Sequence, residues 1–327
     1  MNILVTGGAG FIGSHLVDKL VEDKNKVTVI DNLSNGRIEN LSKSIKKIKF
    51  IKDDISNISS WGKKIKNIEY VIHLAALADI VPSIETPKKY FEANVNGTFN
   101  LVNFFKSKKL KKLIYAASSS CYGLANNYPT LESDPIDTRY PYALTKFLGE
   151  EIVMHWNSIY KIPSISLRFF NVFGKRSRTA GTYGAVFGTF LAQKMNNKPL
   201  TVVGDGNQKR DFIYVNDVVE AIIKSLKSNI SGQIFNIGSG KATSINYLVQ
   251  LLDAKKINIP KRPGEPDITQ ADISKAKKIL KWKPEISFEE GVNILLEDTS
   301  FWKSSPVWDK KSIEKATKEW FKYVDDK

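Results

Sequence analysis

The chain opens with a short apolar run, Ile3-Leu4-Val5, that passes directly into Thr6-Gly7-Gly8-Ala9-Gly10-Phe11-Ile12-Gly13 and then into an amphipathic stretch. No other feature restricts the fold as tightly. A strand that turns within a few residues into a helix needs a bare backbone at three places: the tight turn, the approach to a pyrophosphate, and the crossing of helix on strand. Gly7, Gly10 and Gly13 supply them in that order. The helix that follows offers free N–H groups and the positive end of its dipole, which suit phosphate oxygens. A glycine turn of purely structural purpose would share this spacing. Here, however, the strand precedes it, the helix follows it, and Asp31 ends the next apolar run, 18 residues beyond Gly13. A carboxylate at that place accepts ribose hydroxyls and repels a 2′-phosphate, so the expected cofactor is NAD rather than NADP.

Nearly continuous apolar runs recur at residues 2–5, 26–30, 49–52, 70–75 and 112–117, as expected of strands buried on both faces. Helix-length stretches lie between and after them at residues 12–23, 88–107 and 139–160, and residues 165–171 read as a sixth strand. This alternation predicts an α/β chain with a doubly wound parallel sheet (a Rossmann domain) and a smaller mixed α/β domain. Beyond the sixth strand the spacing loosens. Residues 174–183 and 259–267, the latter with Pro260, Pro263 and Pro266, are expected to be irregular connections. The domain change is placed near residue 170, giving an NAD-binding domain over 1–170 and a mainly substrate-binding domain over 171–327 with a helical tail. That tail carries Trp302, Trp308, Trp320 and Phe321. Aromatics at helical spacing commonly serve packing, so the tail is assigned no chemistry.

Composition removes several other classes. The 327-residue chain carries a net charge of +15, yet only seven of its 49 basic residues are Arg, and the lysines are dispersed in pairs such as Lys46-Lys47 and Lys310-Lys311. Nucleic-acid binding calls for Arg and Lys gathered on one face. The charge is read instead as a solvated surface with a mild attraction for anionic substrates. Cys121 is the lone cysteine, which excludes an internal disulfide, and no Cys/His spacing suits zinc, so no metal is expected. His15, His73 and His155 fall into no triad order. No apolar run approaches the roughly 18 residues of a membrane span, and the start of the chain lacks the layout of a signal peptide. A cytoplasmic location without a membrane partner is therefore expected.

The reactive groups follow from position. Ser118-Ser119-Ser120 falls at the C-terminal end of the fifth strand, where open α/β sheets bind ligands. Tyr142 and Lys146 stand at i and i+4 on the next helix, hence on one face. A lysine beside a tyrosine favours the phenolate, lowering a pKa that is ordinarily about 10, and the positive nicotinamide of NAD⁺ adds to this. Such a tyrosine can take a proton from a substrate hydroxyl while the carbon beneath gives hydride to the cofactor. Tyr-x-x-x-Lys alone is commonly a surface pair. Placed after a serine-bearing strand in a dinucleotide fold, it becomes the catalytic candidate.

Taken in order, the glycine turn, Asp31-Asn32-Leu33-Ser34-Asn35-Gly36, Asp54-Ile55, His73-Leu74-Ala75-Ala76, Asn94-Val95-Asn96-Gly97-Thr98, the serine triplet and Tyr142/Lys146 resemble a known family. Over about residues 1–300 the chain is similar to the extended short-chain dehydrogenase/reductases, in the nucleotide-sugar 4-epimerase branch that acts on UDP-glucose or UDP-N-acetylglucosamine. The resemblance implies transient oxidation of a UDP-hexose or UDP-N-acetylhexosamine at C4, rotation of the 4-keto sugar and re-reduction on the opposite face. It also implies a homodimer formed through the helices near 88–107 and 139–160.

Position by position, the resemblance implies that Phe11 and Ile12 touch the pyrophosphate. Asp31, Asn32, Ser34, Asn35 and Gly36 would hold the adenosine ribose, and Asp54 and Ile55 would border the adenine. Leu74, Ala75, Ala76 and Asn94 would line the path to the nicotinamide, whose ribose Lys146 would hold. Ser118 matches the catalytic Ser/Thr, with Ser119 and Ser120 as supporting donors. Phe170 and Asn171 would meet nicotinamide and sugar pyrophosphate; Val202, Val203 and Gly204 would lie beneath the uracil; Arg210 and Arg262 would grip the diphosphate.

The departures also inform. Related 4,6-dehydratases carry an Asp-Glu pair where this chain has Ser119 and Ser120, so the dehydratase and decarboxylase alternatives are disfavoured. Cys121 is out of register with the cysteine of fucose-type epimerase-reductases and reads as a packed thiol. Ala78 stands where some 4-epimerases have a lysine. Thr269 occupies the position of a size gate for the sugar 2-substituent, and threonine leaves room for an N-acetyl group. A non-catalytic NAD-sensing protein is the alternative from another class, and it would need none of Ser118, Tyr142 and Lys146.

Overall fold

The computed structural model describes residues 1–177, 184–303 and 305–325. Part of the expected connection at 174–183 and the last two residues of the tail therefore lie outside the described residues. In chain order the strands are β1 (Asn2–Thr6), β2 (Lys26–Asp31), β3 (Lys49–Lys52), β4 (Tyr70–His73), β5 (Lys112–Ser118), β6 (Ser164–Phe169), β7 (Asn171–Phe173), β8 (Leu200–Val203), β9 (Lys209–Tyr214), β10 (Gln233–Ile237), β11 (Ala242–Ser244) and β12 (Lys256–Ile259). Seven of them form one parallel sheet in the order β10-β6-β5-β4-β1-β2-β3. The chain winds outward from β1 to β3 and then returns to place β4 on the other side of β1. The carboxyl ends of β1 and β4 thus form the switch point where such sheets open a crevice.

Alternate strand residues explain why both faces are covered. Ile3, Val5, Ile72 and Ile114 point into one core, which the helix Phe11–Glu22 closes with Leu16, Val17 and Leu20 and the helix Val215–Lys227 closes with Val218, Ile222 and Leu226. Leu4, Val71, Leu113 and Tyr115, one residue out of phase, point into the opposite core with Leu101 and Val153. Helical spacing of the apolar residues provides the matching stripes. The longest helix, Pro141–Tyr160, begins with proline at its first turn and stops at Lys161 in the left-handed region.

Beyond residue 170, β11-β9-β7 and β12-β8 make two small sheets around a third core rich in rings. Phe173 stacks on Phe187 at 4.5 Å and Phe212 on Phe288 at 5.1 Å. The division at 170 is not a single cut, however. The chain returns to add β10 beside β6 and to lay the helix Val215–Lys227 on the first domain.

Three element boundaries depart from expectation. The strand expected at 70–75 ends at His73, although the Leu74 N–H still donates to Thr6 O at 3.1 Å. The helix expected at 88–107 is two helices, Pro87–Tyr90 and Gly97–Phe105, joined through a wider π turn at Phe91–Asn96. Such turns occur at functional places, and this one carries Asn94. The sixth strand splits at Phe170, whose N–H donates to Ile237 O at 2.9 Å, so Asn171 begins β7 of the next sheet opposite Phe212. Among the described residues no helix is long and apolar enough to cross a membrane.

Candidate active site

A cleft of about 910 Å³ opens at the carboxyl ends of β1 to β6 and runs into the second half of the chain. Every residue expected to hold the cofactor lines it except Asn94. Gly7 has φ +72°, and a Cβ there would lie 2.6 Å from Ala75 N; a Cβ on Gly13 would lie 2.2 Å from Gly7 O. Neither position tolerates a side chain. A Cβ on Gly10 would meet only Gly7 O, at 3.2 Å, so this backbone is open toward the cleft. No side chain among the described residues caps the helix that Gly10 begins, and its first turn holds no acidic residue. The free N–H groups and positive dipole end therefore face the cleft, a cradle that fits a pyrophosphate.

At the adenosine end, Asp31 Oδ2 accepts from the Ala9 N–H at 2.9 Å and Oδ1 from the Leu33 N–H at 2.8 Å. Burial raises the Asp31 pKa, and these two N–H groups work against that rise. Its carboxylate thus holds the glycine turn first, and each oxygen keeps a further lone pair for a ribose hydroxyl. Asn32 Nδ2 donates to Asp54 Oδ2 at 2.8 Å, closing the rim. The residues present fit NAD.

Asn94 is buried instead of lining the cleft. Its Oδ1 accepts from the Leu77 N–H at 2.8 Å, and its Nδ2 donates to Leu77 O and Thr145 Oγ1, each at 3.0 Å. It clamps the loop after β4 to the helix that carries Tyr142. Nearby, buried His73 lies 2.7 Å from Thr6 Oγ1 and 2.9 Å from Thr98 Oγ1; burial, with Lys146 adding to it, lowers its pKa to about 3.

At the reactive end, Ser118 closes β5 and caps the short turn Ser119–Tyr122. Its Oγ accepts from the Ser120 N–H at 3.2 Å and donates to Ser120 Oγ at 3.0 Å. Tyr142, in the first turn of its helix, is pushed up to about 12 by burial, while a hydrogen bond with Ser118 pulls it back. Buried Lys146, its Nζ 4.3 Å from the centre of the Tyr115 ring, is lowered to about 7 by burial, against the opposing pull of Glu150. The expectation that Lys146 lowers the Tyr142 pKa is thus not met by the protein's own groups. Desolvation is the largest influence on Tyr142, and the same burial weakens the charge of Lys146.

Behind these groups stands a buried ion pair the sequence reading missed. Arg168 Nη2 meets Glu150 Oε1 at 2.5 Å, Ser166 Oγ donates to Glu150 Oε2 at 2.6 Å, and Arg168 Nη1 donates to Tyr122 Oη at 2.8 Å. The signal was the spacing itself, since Tyr142, Lys146 and Glu150 follow one another at i+4.

In the second half, Asn171, Val203, Arg210 and Arg262 line the cleft with Ser118, Ser119, Ser120 and Tyr142. Val202 and Gly204 do not. Strand alternation turns Val202 into the third core while Val203 faces the other way, and Gly204, at φ +59°, turns the chain beyond the strand end. Thr269 also stands back from the cleft: its hydroxyl donates to Asn171 Oδ1 at 3.2 Å and accepts from the Asp211 N–H at 3.3 Å. Its link to the cleft lining runs through Asn171. Glu265, another residue the sequence reading passed over, joins the two arginines, accepting from Arg210 Nη2 at 3.2 Å and from Arg262 Nε at 2.9 Å. Burial would raise its carboxyl, and the Arg262 and Arg210 guanidiniums overcome that to hold it below the usual range. Buried Cys121 has its thiol pushed up to about 12 by burial, consistent with a packed, unreactive group. The tail, assigned no chemistry from sequence, brings Pro306, Trp308 and Trp320 to the cleft wall.

Fold and cleft together define the class: an NAD-binding enzyme of the extended short-chain dehydrogenase/reductase type. More narrowly, the chain belongs to the NAD dependent epimerase/dehydratase family, whose profile matches residues 3–238. A putative UDP-glucose 4-epimerase of Methanocaldococcus jannaschii is 39% identical over 299 residues, spanning 89% of this chain and 95% of that protein. The crystal structure of a UDP-glucose 4-epimerase from Thermotoga maritima with UDP-glucose superposes with a TM-score of 0.86 at 34% identity, covering 91% of this chain and 98% of that one. A UDP-N-acetyl-alpha-D-glucosaminuronate decarboxylase of Bacillus cytotoxicus is 30% identical over 316 residues, 91% of this chain and 96% of its own.

Proposed function

We propose that the protein is a 4-epimerase of a UDP-hexose or UDP-N-acetylhexosamine. The observation that carries this is one continuous cleft: the glycine cradle at one end, Ser118, Tyr142 and Lys146 in the middle, and Arg210 and Arg262 at the other. NAD, held by the glycine turn and the Asp31 rim, supplies a hydride acceptor for C4 and a positive charge that favours tyrosinate. Tyr142 Oη takes the proton of the 4-hydroxyl, with Ser118 Oγ bridging the two oxygens. Lys146 Nζ favours the phenolate when protonated. Loss of that proton and of hydride from C4 leaves a 4-keto sugar; return of both, with hydride delivered to the opposite face, inverts C4 with no net oxidation. Arg210 and Arg262 hold the diphosphate in a fork geometry while the keto sugar turns.

Water elimination needs a general acid and base beside the reacting centre. The positions after Ser118 are hydroxyl-bearing Ser119 and Ser120, which supports epimerisation over 4,6-dehydration. Decarboxylation of a UDP-uronic acid is the second reading, favoured by the decarboxylase relative. Thr269, short and hydrogen-bonded to Asn171, supports acceptance of an N-acetyl group. Exposed Phe91, Phe99, Leu144, Ile159 and Tyr160 on the two helical segments support a homodimer, and a monomer in light scattering at micromolar protein would refute it. A single cysteine, with no partner for an internal disulfide, supports a reducing cytoplasmic setting.

Proton NMR of UDP-N-acetylglucosamine and of UDP-glucose, incubated with purified protein and no added cofactor, tests the activity. The galacto epimer is the expected product. A stable 4-keto-6-deoxy sugar instead, or a pentose formed from UDP-glucuronic acid with no epimer from any hexose, would refute it. Tyr142→Phe is expected to lower turnover by roughly 10²–10⁴-fold with bound NAD retained.

A further inference from the structure

The tail reaches the cleft through one side chain in particular. Trp320, in the short helix Lys318–Tyr323, is buried among Tyr140 and Ala143 at the start of the catalytic helix and Val203 and Ile259 from the second half. Its ring lies 5.8 Å from that of Tyr140. It therefore packs against both walls at once. Its indole Nε1–H donates to Pro263 O at 2.8 Å, and its face lies 5.4 Å from the Arg262 guanidinium carbon. Four residues later Val324 fills the space over Gly264, where a Cβ would meet it at 2.6 Å and where φ is +66°. Arg139 Nη2 donates to Asp325 O at 3.0 Å, fastening the tail's end to the residue before Tyr140. The tail thus packs along residues 262–264, next to Glu265, the partner of Arg262.

We propose that Trp320 is a positioning residue for Arg262, and that the tail is a built wall of the nucleotide-sugar end of the cleft. This rests on reading Arg210 and Arg262 as diphosphate ligands. The acceptor for the buried indole N–H and the cation over its face are both supplied by one short segment, Arg262-Pro263, so the ring is coupled to the cleft guanidinium. Together these contacts hold the fork of Arg262 in place before substrate arrives, so less side-chain entropy is lost on binding. The benefit falls chiefly on substrate binding, because the indole hydrogen bond and the cation contact of Trp320 go to Pro263 and Arg262, while Tyr142 shares with it only an apolar cluster.

The full chain carrying Trp320→Ala, or the volume-preserving Trp320→Phe, is compared with wild type in UDP titration calorimetry, steady-state epimerisation and bound-NAD content. Trp320→Ala is expected to weaken UDP binding and raise the sugar-nucleotide KM roughly tenfold, about 1.4 kcal/mol, with kcat within about twofold and NAD unchanged. Trp320→Phe keeps a ring for Arg262 without the N–H and is expected to fall between the two. Combined with Arg262→Gln, either change is expected to add little, since the lost contact is shared. Unchanged UDP affinity in Trp320→Phe, or full additivity with Arg262→Gln, overturns the positioning role even if Trp320→Ala fails to fold. Wild-type protein that binds no UDP overturns the nucleotide-sugar reading itself.

Discussion

Replacing Glu150 with alanine strands a guanidinium inside the protein. Glu150 accepts from Ser166 Oγ at 2.6 Å, from Arg168 Nε at 3.1 Å to each oxygen, and from Arg168 Nη2 at 2.5 Å. Both side chains are almost fully enclosed, at 1% and 4% exposure. Two unit charges about 4 Å apart attract by roughly 4 kcal/mol at an effective dielectric of about 20. Tyr122 Oη and Glu132 O, at 2.8 and 3.1 Å from Arg168 Nη1, remain but carry no compensating charge. The expected loss is about 3–5 kcal/mol, the range for breaking a buried pair from one side. That is a large part of the roughly 5–15 kcal/mol that holds a typical domain together. Urea unfolding of wild type, Glu150→Ala, Arg168→Met and the double variant Glu150→Leu/Arg168→Met measures it. The double variant is expected to recover most of the loss, because no charge is then stranded. A cost below about 1 kcal/mol for Glu150→Ala, or a double variant no more stable than the single, would refute this account.

Three further outcomes are expected. Gly13→Ala places a methyl 2.2 Å from Gly7 O and should abolish co-purifying NAD, read from the absorbance of released cofactor, whereas an occupied variant would refute the cradle. Burial lowers the Lys146 pKa to about 7 from the 10.5 usual for a lysine. Between those pH values the unfolded chain binds a proton that the folded protein lacks, so stability rises with pH across that window and the penalty is fullest at and below pH 7. Lys146→Met is therefore expected to be inactive yet more stable than wild type by on the order of 1 kcal/mol or more at pH 7, with the gap closing toward pH 10; a variant less stable at every pH would contradict it. Thr269→Tyr, by pressing on Asn171, should lower the preference for UDP-N-acetylglucosamine over UDP-glucose, and an unchanged rate ratio would remove Thr269 from specificity.

Much of this protein was legible from local pattern. The strand, glycine turn and helix at residues 2–22 are contiguous, so chain geometry alone joins them, and the Tyr142/Lys146 spacing sets one helix face whatever surrounds it. Nearly continuous apolar runs marked the parallel strands for the same reason, since a strand covered on both faces needs apolar residues at every position.

Tertiary structure alone decided matters that depend on partners distant in sequence. Asp31 spends two lone pairs on Ala9 and Leu33, β10 returns across the expected boundary to join β6, and Asn94 turns inward to clamp Leu77. Burial, which no spacing reveals, moves Tyr142 up and Lys146 down, opposite to what their adjacency in sequence suggests for the tyrosine. Arg168 meets Glu150 from another element, and Trp320 reaches Arg262 from 58 residues away. Periodicity specifies which face of an element is apolar and which positions share a side. What that face meets, and how much water is left around it, is set only when the elements close upon one another.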